Sequence, residues 1–191
     1  MAETAEIWLL RHGETEWSRS GQHTSRTDIP LTDNGEARAR ALGQFLAGRK
    51  FALVLTSPMV RAKNTCALAG YGGQAQEDAN LMEWDYGAYE GLTTVQIRET
   101  EPDWTVWNSA PNGGESVQQV GARADAVINK ASTASGNVAL FGHGHLLRIL
   151  AACWLGLDAR QGELFALSTG SISVLGHERA TRVIQQWNFT P

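Results

Sequence analysis

Apolar residues fall along the chain in short bursts separated by helical periodicities. Ile7-Trp8-Leu9-Leu10 is apolar without interruption, as a strand buried on both faces would be. Residues 51–55 and 138–141 repeat the pattern, and residues 172–175 and 183–187 supply later strands, with a hairpin turn over 177–181. Between the bursts the period lengthens. Thr32 can cap a helix that runs to about Gly48, with Ala37, Ala41, Leu42 and Phe45 on one face. Ser57-Pro58 reads as a capping residue followed by proline at the first helical position, opening a helix that stops near Ala69, before Gly70-Tyr71-Gly72-Gly73. Thr93-x-x-Gln96 and Ser116-x-x-Gln119 have the form of capping boxes, and Val117, Val120, Ala124, Val127 and Ala131 make a core-facing stripe after the second. A last helix is expected from about His145 to Gly156. Strands alternating with helices predict a three-layer α/β/α domain on a mainly parallel sheet, and at 191 residues the chain, 1–191, makes one domain.

Composition narrows the class. Hydrophobic residues are 42% and charged residues 19%, as in ordinary globular proteins. A net charge of -4 argues against a general nucleic-acid binder or a polybasic membrane binder. Thirteen arginines against three lysines mean that an anion site here would use guanidinium forks. Cys66 and Cys153 form no CxxC pair, so two free thiols in a reducing compartment is the simplest reading. Met1 to Glu6 has no basic segment leading into an apolar one, and no apolar run approaches the roughly 18 residues of a membrane span. A cytoplasmic location is expected.

In open α/β sheets ligands bind beyond the carboxyl ends of the strands. The first strand runs into Arg11-His12-Gly13-Glu14, the second into Thr56-Ser57-Pro58 with Arg61 a turn later, and the strand at 138–141 into Gly142-His143-Gly144-His145. Glycines permit close backbone approach, and arginine forks match phosphate oxygens. A single histidine at a strand end is more often structural than catalytic, and Arg61 alone could be a solvated helix charge. Convergence of these groups on one sheet edge points to a phosphate site.

These segments resemble a known family. Leu10-Arg11-His12-Gly13-Glu14-Thr15 is similar to the signature of the histidine phosphatase superfamily, which includes the cofactor-dependent phosphoglycerate mutases. Leu31-Thr32-x-x-Gly35, Thr56-Ser57-Pro58-x-x-Arg61-Ala62, Leu81-Met82-Glu83-Trp84-Asp85-Tyr86-Gly87, Gly114-Glu115-Ser116 and Gly142-His143-Gly144 resemble further blocks of that family in the same order. The resemblance implies that His12 is the nucleophile, that Arg11, Arg61 and His143 surround the transferring phosphoryl group, and that Glu83 is the acid/base. It further implies substrate contacts at Gly13, Ser18, Thr24, Gly144 and His145. Ser18 and His145 stand where many mutases carry asparagine, and His145 could contact substrate or only hold its loop. Glu14, Asp85 and Glu90 are the other carboxylates that could serve as the acid. A carboxyl sharing a site with phosphate retains its proton more readily, so activity should favour mildly acidic pH.

The mutases carry a long basic insertion after the acid block. Here 30 residues separate Glu83 from Gly114, Arg98 is the only basic one among them, and this short acidic lid, about 84–113, suits a phosphatase better than a mutase. Trp84, Tyr86, Tyr89, Trp104 and Trp107 either line the mouth of the pocket or pack the lid down. Trp84-Asp85-Tyr86-Gly87-x-Tyr89-Glu90-Gly91 with His23-Thr24 is most similar to the branch with small bacterial acid phosphatases and fungal sedoheptulose bisphosphatases, which implies sugar phosphates. The expected activity is a phosphomonoesterase with a small phosphorylated metabolite as partner, no nucleic acid or membrane, no cofactor and no metal, as a monomer or homodimer. Three other readings stand beside it: phosphoglycerate mutase-type transfer, a non-catalytic phospho-ligand binder, and a metallohydrolase using His143-x-His145 with His12 and Asp85. The run Gly70 to Gly73 lacks the length and the Lys-Ser/Thr ending of a P-loop.

Overall fold

In a computed structural model, which describes residues 5–191, one six-stranded sheet carries helices on both faces. The strands are β1 (Ile7–Arg11), β2 (Leu53–Thr56), β3 (Gln76–Glu77), β4 (Val138–Gly142), β5 (Ile172–Glu178) and β6 (Thr181–Phe189), in the order β3-β2-β4-β1-β5-β6. The β3-β2, β2-β4 and β4-β1 pairs are parallel, and β5 pairs antiparallel with both β1 and β6. Five strands therefore share one direction and β5 opposes them, giving a mixed sheet with a parallel centre. The helices are α1 (Glu16–Ser20), α2 (Asp33–Leu46), α3 (Val60–Leu68), α4 (Thr94–Arg98), α5 (Val117–Ser132) and α6 (Gly144–Trp154).

The uninterrupted apolar bursts follow from burial on both faces. Along β1, Ile7 and Leu9 join the core beneath α5 and α6, while Trp8 and Leu10 join the core beneath α2 and α3. β4 divides in the same way, Val138 and Leu140 on one side and Ala139 and Phe141 on the other. Both capping boxes form, at Thr93–Gln96 and Ser116–Gln119, and the whole stripe from Val117 to Ala131 is buried.

Three local expectations change. The buried row of α2 is Gly35, Ala39, Leu42 and Leu46, whereas Ala37 and Phe45 are exposed. Phe45 meets Phe189 instead, with ring centroids 5.1 Å apart. The helix after β2 starts at Val60, two residues later than Ser57-Pro58 implies, and its N-cap Met59 makes no side-chain bond. Asp28, from a distant loop, accepts the Val60 N–H at 2.7 Å in its place. The hairpin turn shrinks to Arg179-Ala180, and Arg179 adopts a left-handed backbone at φ 57°. Among the described residues, no helix is long and apolar enough to cross a membrane.

Candidate active site

The sheet registers bring the chemistry together. Arg11 pairs with Gly142 at the end of β1 and β4, and Thr56 pairs with Phe141 at the end of β2. The residues that follow are His12, His143 and Ser57, so three adjacent strand ends deliver them side by side. Backbone bonds extend the registers: His12 N donates to Gly142 O at 3.0 Å and Ser57 N to Phe141 O at 2.9 Å. The chain leaves β1 toward α2 on one face and leaves β4 toward α6 on the other. The crevice between them is the switch point at which such sheets bind ligands.

His12 is buried, and its Nδ1 lies 2.7 Å from the Gly13 carbonyl. A carbonyl only accepts, so Nδ1 carries the proton and Nε2 keeps its lone pair. His12 lines a cavity of about 200 Å³ together with Arg11, Glu83, Tyr86, His145 and Arg148, among others. Burial, with Arg11 and Arg61 adding positive charge, holds the imidazole well below its usual pKa of 6.5, so the ring is neutral.

Arg61 and His143 are fully buried and stand one layer behind the cavity wall. Arg61 Nε donates to His143 Nδ1 at 3.2 Å, which places the His143 proton on Nε2, 2.8 Å from Ser57 Oγ. The rest of the Arg61 fork donates to carbonyls of the loop after His23: Thr27 at 3.1 Å, Ser25 at 2.9 Å and Thr24 at 3.4 Å. Glu90 fixes that loop by accepting the Ser25 and Thr27 N–H groups at 2.8 and 2.9 Å. His143 is also held well below 6.5, by burial first and then by Arg61. Arg11 lines the cavity, donates through one terminal nitrogen to the Leu167 carbonyl, and has a buried Nε with no partner.

Glu83 faces the cavity from a stretch without regular structure. Its Oε1 accepts the N–H groups of Trp84 and Leu146, both at 2.9 Å, and Oε2 accepts that of His145 at 3.0 Å. With both lone pairs of Oε1 engaged, the one free lone pair belongs to Oε2. Of the other carboxylates, Glu90 is committed to the loop, Asp85 to Arg26 and Glu14 to Thr32.

Ser18, Thr24, Gly144 and His145 all line the cavity. Ser18 also completes a capping box with Thr15 at α1. Gly144 packs on Arg11, whose guanidinium carbon would lie 3.2 Å from a Cβ there. Gly13, expected as a substrate contact, is not among the residues lining the cavity, and its N–H donates to Thr65 Oγ1 at 3.1 Å. A Cβ on Gly13 would sit 2.3 Å from Gly35 O, so its lack of a side chain serves the contact with α2. His145 Nδ1 meets Tyr86 Oη at 2.6 Å, and its ring packs edge-on against Trp84, Tyr86 and Trp107. Burial keeps His145 well below 6.5 and raises the Tyr86 phenol well above 10, so both are neutral. Trp84, Trp104 and Trp107 belong to the core cluster and do not line the cavity, whereas Tyr86 does both.

His143 is engaged by Arg61 and Ser57, and among the described residues no three His, Cys, Asp or Glu side chains come together as a ligand set. Sequence reasoning missed Arg148 and took Ser57 for a helix cap. Both had a signal: Arg148 lies one helical turn beyond Gly144, and Ser57 follows a strand as His12 and His143 do. Leu167, which reaches the wall from the segment before β5, had none.

Comparison with known proteins agrees with this geometry. The family model for the histidine phosphatase superfamily, branch 1, matches residues 7–190. The chain belongs to that family, and it is an enzyme of the phosphatase class. An acid phosphatase of Mycobacterium tuberculosis is 44% identical over 189 residues, covering 96% of this chain and 92% of the relative. A sedoheptulose 1,7-bisphosphatase of Saccharomyces cerevisiae is 34% identical over 190 residues, covering 83% of this chain and 70% of the relative. A solved structure of an open reading frame from Mycobacterium tuberculosis superposes with a TM-score of 0.92 at 42% identity, covering 97% of this chain and 98% of the other.

Proposed function

We propose that this phosphatase hydrolyses small phosphate monoesters, sugar phosphates foremost, through a phosphohistidine formed on His12. One observation carries the reading: a neutral His12 with an unpartnered Nε2 opens on the same cavity as Arg11 and Glu83 Oε2. In the first displacement Nε2 attacks phosphorus and the ester P–O bond breaks. Its electron pair goes to the leaving oxygen, which takes a proton from Glu83 Oε2. In the second, Glu83 takes a proton from water, the water oxygen attacks phosphorus, and the P–N bond breaks to free His12 and phosphate. Arg11 faces the charge on the phosphoryl oxygens directly. Arg61 and His143 stand just behind, with the His12 and His143 ring centroids 5.1 Å apart. Rearrangement of their hydrogen bonds on substrate binding brings their donors to the same oxygens.

The name of the sedoheptulose bisphosphatase relative supports sugar phosphates, and so does a wall carrying Thr15, Ser18, Gln22, Thr24 and, besides His12, the His23 and His145 imidazoles. A volume of about 200 Å³ suits a phosphate with a short polyol. We read the chain as a single domain with a short lid over about 84–113, working in the cytoplasm as a monomer or homodimer. Its two free cysteines suit a reducing compartment.

The test is release of inorganic phosphate from sugar mono- and bisphosphates and phosphoglycerates, in excess chelator, by wild type beside His12→Ala. Wild type should turn over sugar phosphates with chelator present, and His12→Ala should lose roughly 10,000-fold or more in kcat. Comparable activity in both proteins would remove His12 as nucleophile. Transfer between phosphoglycerates without net phosphate release would establish a mutase instead.

A further inference from the structure

Glu83 sits on an irregular stretch that follows the 3-10 turn Ala79–Leu81, so no sheet ladder or helix fixes its backbone. Ser25 Oγ donates to the Glu83 carbonyl at 3.1 Å, and a guanidinium from α5 fixes that carbonyl together with the stretch on either side of it. Arg123 spends all five of its N–H donors here. One terminal nitrogen donates to the carbonyls of Asn80 at 2.9 Å and Met82 at 2.8 Å. The other donates to the carbonyl of Glu83 itself at 3.4 Å and to Glu115 Oε2 at 2.7 Å, and Nε donates to Glu115 Oε1 at 2.8 Å. Glu115 extends the grip: Oε2 accepts the Asp85 N–H at 2.9 Å, its own N–H donates to Asp85 O at 2.9 Å, and its carbonyl accepts the Trp84 indole N–H at 2.8 Å. The Arg123 and Glu115 side chains are only 19% and 23% exposed, so this fork is shielded far better than a surface pair.

Glu83 is thus held at both its carboxylate and its backbone. The amides of Leu146 and His145 hold its carboxylate, and the Arg123–Glu115 pair, with Ser25 Oγ, holds its backbone. We infer that Arg123 and Glu115 are positioning residues for proton transfer: their clamp sets Glu83 Oε2 against the ester oxygen of the substrate. Neither touches the reacting atoms. The inference rests on the reading of Glu83 as the acid, and it assigns the Gly114-Glu115-Ser116 block a part in the chemistry besides starting α5. Lysine cannot replace Arg123, because a single ammonium cannot hold a carboxylate fork and three carbonyls together.

The experiment compares two leaving groups. An aliphatic sugar phosphate leaves as an alkoxide and needs the proton; p-nitrophenyl phosphate leaves as a stable phenolate and does not. kcat/KM for both substrates, measured on one preparation, gives a ratio that is independent of the folded fraction. Glu83→Gln should lower the aliphatic value by about 100-fold or more and spare the aryl value. Arg123→Met should lower the aliphatic value selectively by about tenfold, with Arg123→Lys between it and wild type. Glu115→Gln, which keeps a partner for the Asp85 N–H, should show the same selectivity at a few-fold, and it serves if Arg123→Met does not fold. Equal losses on both substrates in the Arg123 and Glu115 variants, with Glu83→Gln still selective, would overturn the clamp alone. A non-selective Glu83→Gln would overturn the role of Glu83, and the clamp with it.

Discussion

At the base of the cavity and just beneath it, His12, Ser57 and His143 each follow one of three neighbouring strands, and backbone registers set their spacing. At the mouth, His23, Tyr86 and the α6 pair His145 and Arg148 come from three segments far apart in sequence, and contacts between side chains set their spacing. His23 lies against Tyr86 and Trp104 with centroids 4.7 and 5.3 Å away, and Arg148 stacks on Trp107 at 4.8 Å. The base is fixed by hydrogen bonds with few alternatives, because any lost partner strands a buried polar group. The mouth is fixed largely by packing of neutral rings, which tolerates changes of similar volume. This division suits an enzyme that must keep one chemistry while its substrate changes.

The comparison breaks most visibly at Arg61. Arg61→Met removes the partner of His143 and the anchor of the 24–27 loop, and kcat should fall on the order of 100- to 1,000-fold. Loss of its positive charge should also raise the His12 pKa and move the acid limb of the pH–rate profile upward. A drop under tenfold would mean that the base is no stricter than the mouth. Trp104→Ala tests the packed side: stability should fall by about 3–5 kcal/mol by denaturant titration, as for other buried aromatics. Tyr86→Phe keeps the ring and drops the hydroxyl that meets His145 Nδ1, so a few-fold change, mostly in KM, is expected. A loss at Tyr86→Phe as large as that at Arg61→Met would erase the distinction.

The gentlest probe is pH. His12, His143, His145 and His23 are all held below 6.5, burial being the first cause in each. Below 6.5 the unfolded chain binds more protons than the folded one. Their contribution to stability is therefore complete above 6.5 and is lost as pH falls through and below that value. The Tm should be lower at pH 5 than at pH 7.5. Activity should behave differently, because His12 stays a neutral nucleophile beneath 6.5, and the acid limb of kcat/KM should lie below that value. An acid limb at or above 6.5 would count against a neutral His12.

The base was legible in the chain and the mouth only in part, His145 and Tyr86 being named from sequence and Arg148 not, for a physical reason. Strands buried on both faces print themselves as apolar runs, so β1, β2 and β4 and the residues just past them could be placed from sequence. β3 is two exposed polar residues, Gln76 and Glu77, and only the neighbouring edge of β2 makes it a strand. The start of α3 was misplaced because Ser57 faces His143 and Asp28 does the capping from outside the local window. The buried row of α2 differed from the expected face because its packing was chosen by Gly35 and the second core, with Phe45 left to meet Phe189. Arg148 is placed there by its helical spacing from Gly144, whereas Leu167 reaches the cavity through tertiary contacts that no local pattern records.

The backbone seam between Gly13 and Gly35 bears on how such an enzyme can diversify. A Cβ on Gly13 would meet Gly35 O at 2.3 Å, and one on Gly35 would meet Glu14 O at 2.1 Å. Each glycine is blocked by the other segment's main chain, so substituting the partner frees no space. The two segments must move apart before either position can vary, and that movement displaces His12, the residue next to Gly13. Neutral drift is closed along this seam. A lineage acquiring new substrates must travel through the side chains of the rim, while the phosphate-reacting floor is inherited as a single unit.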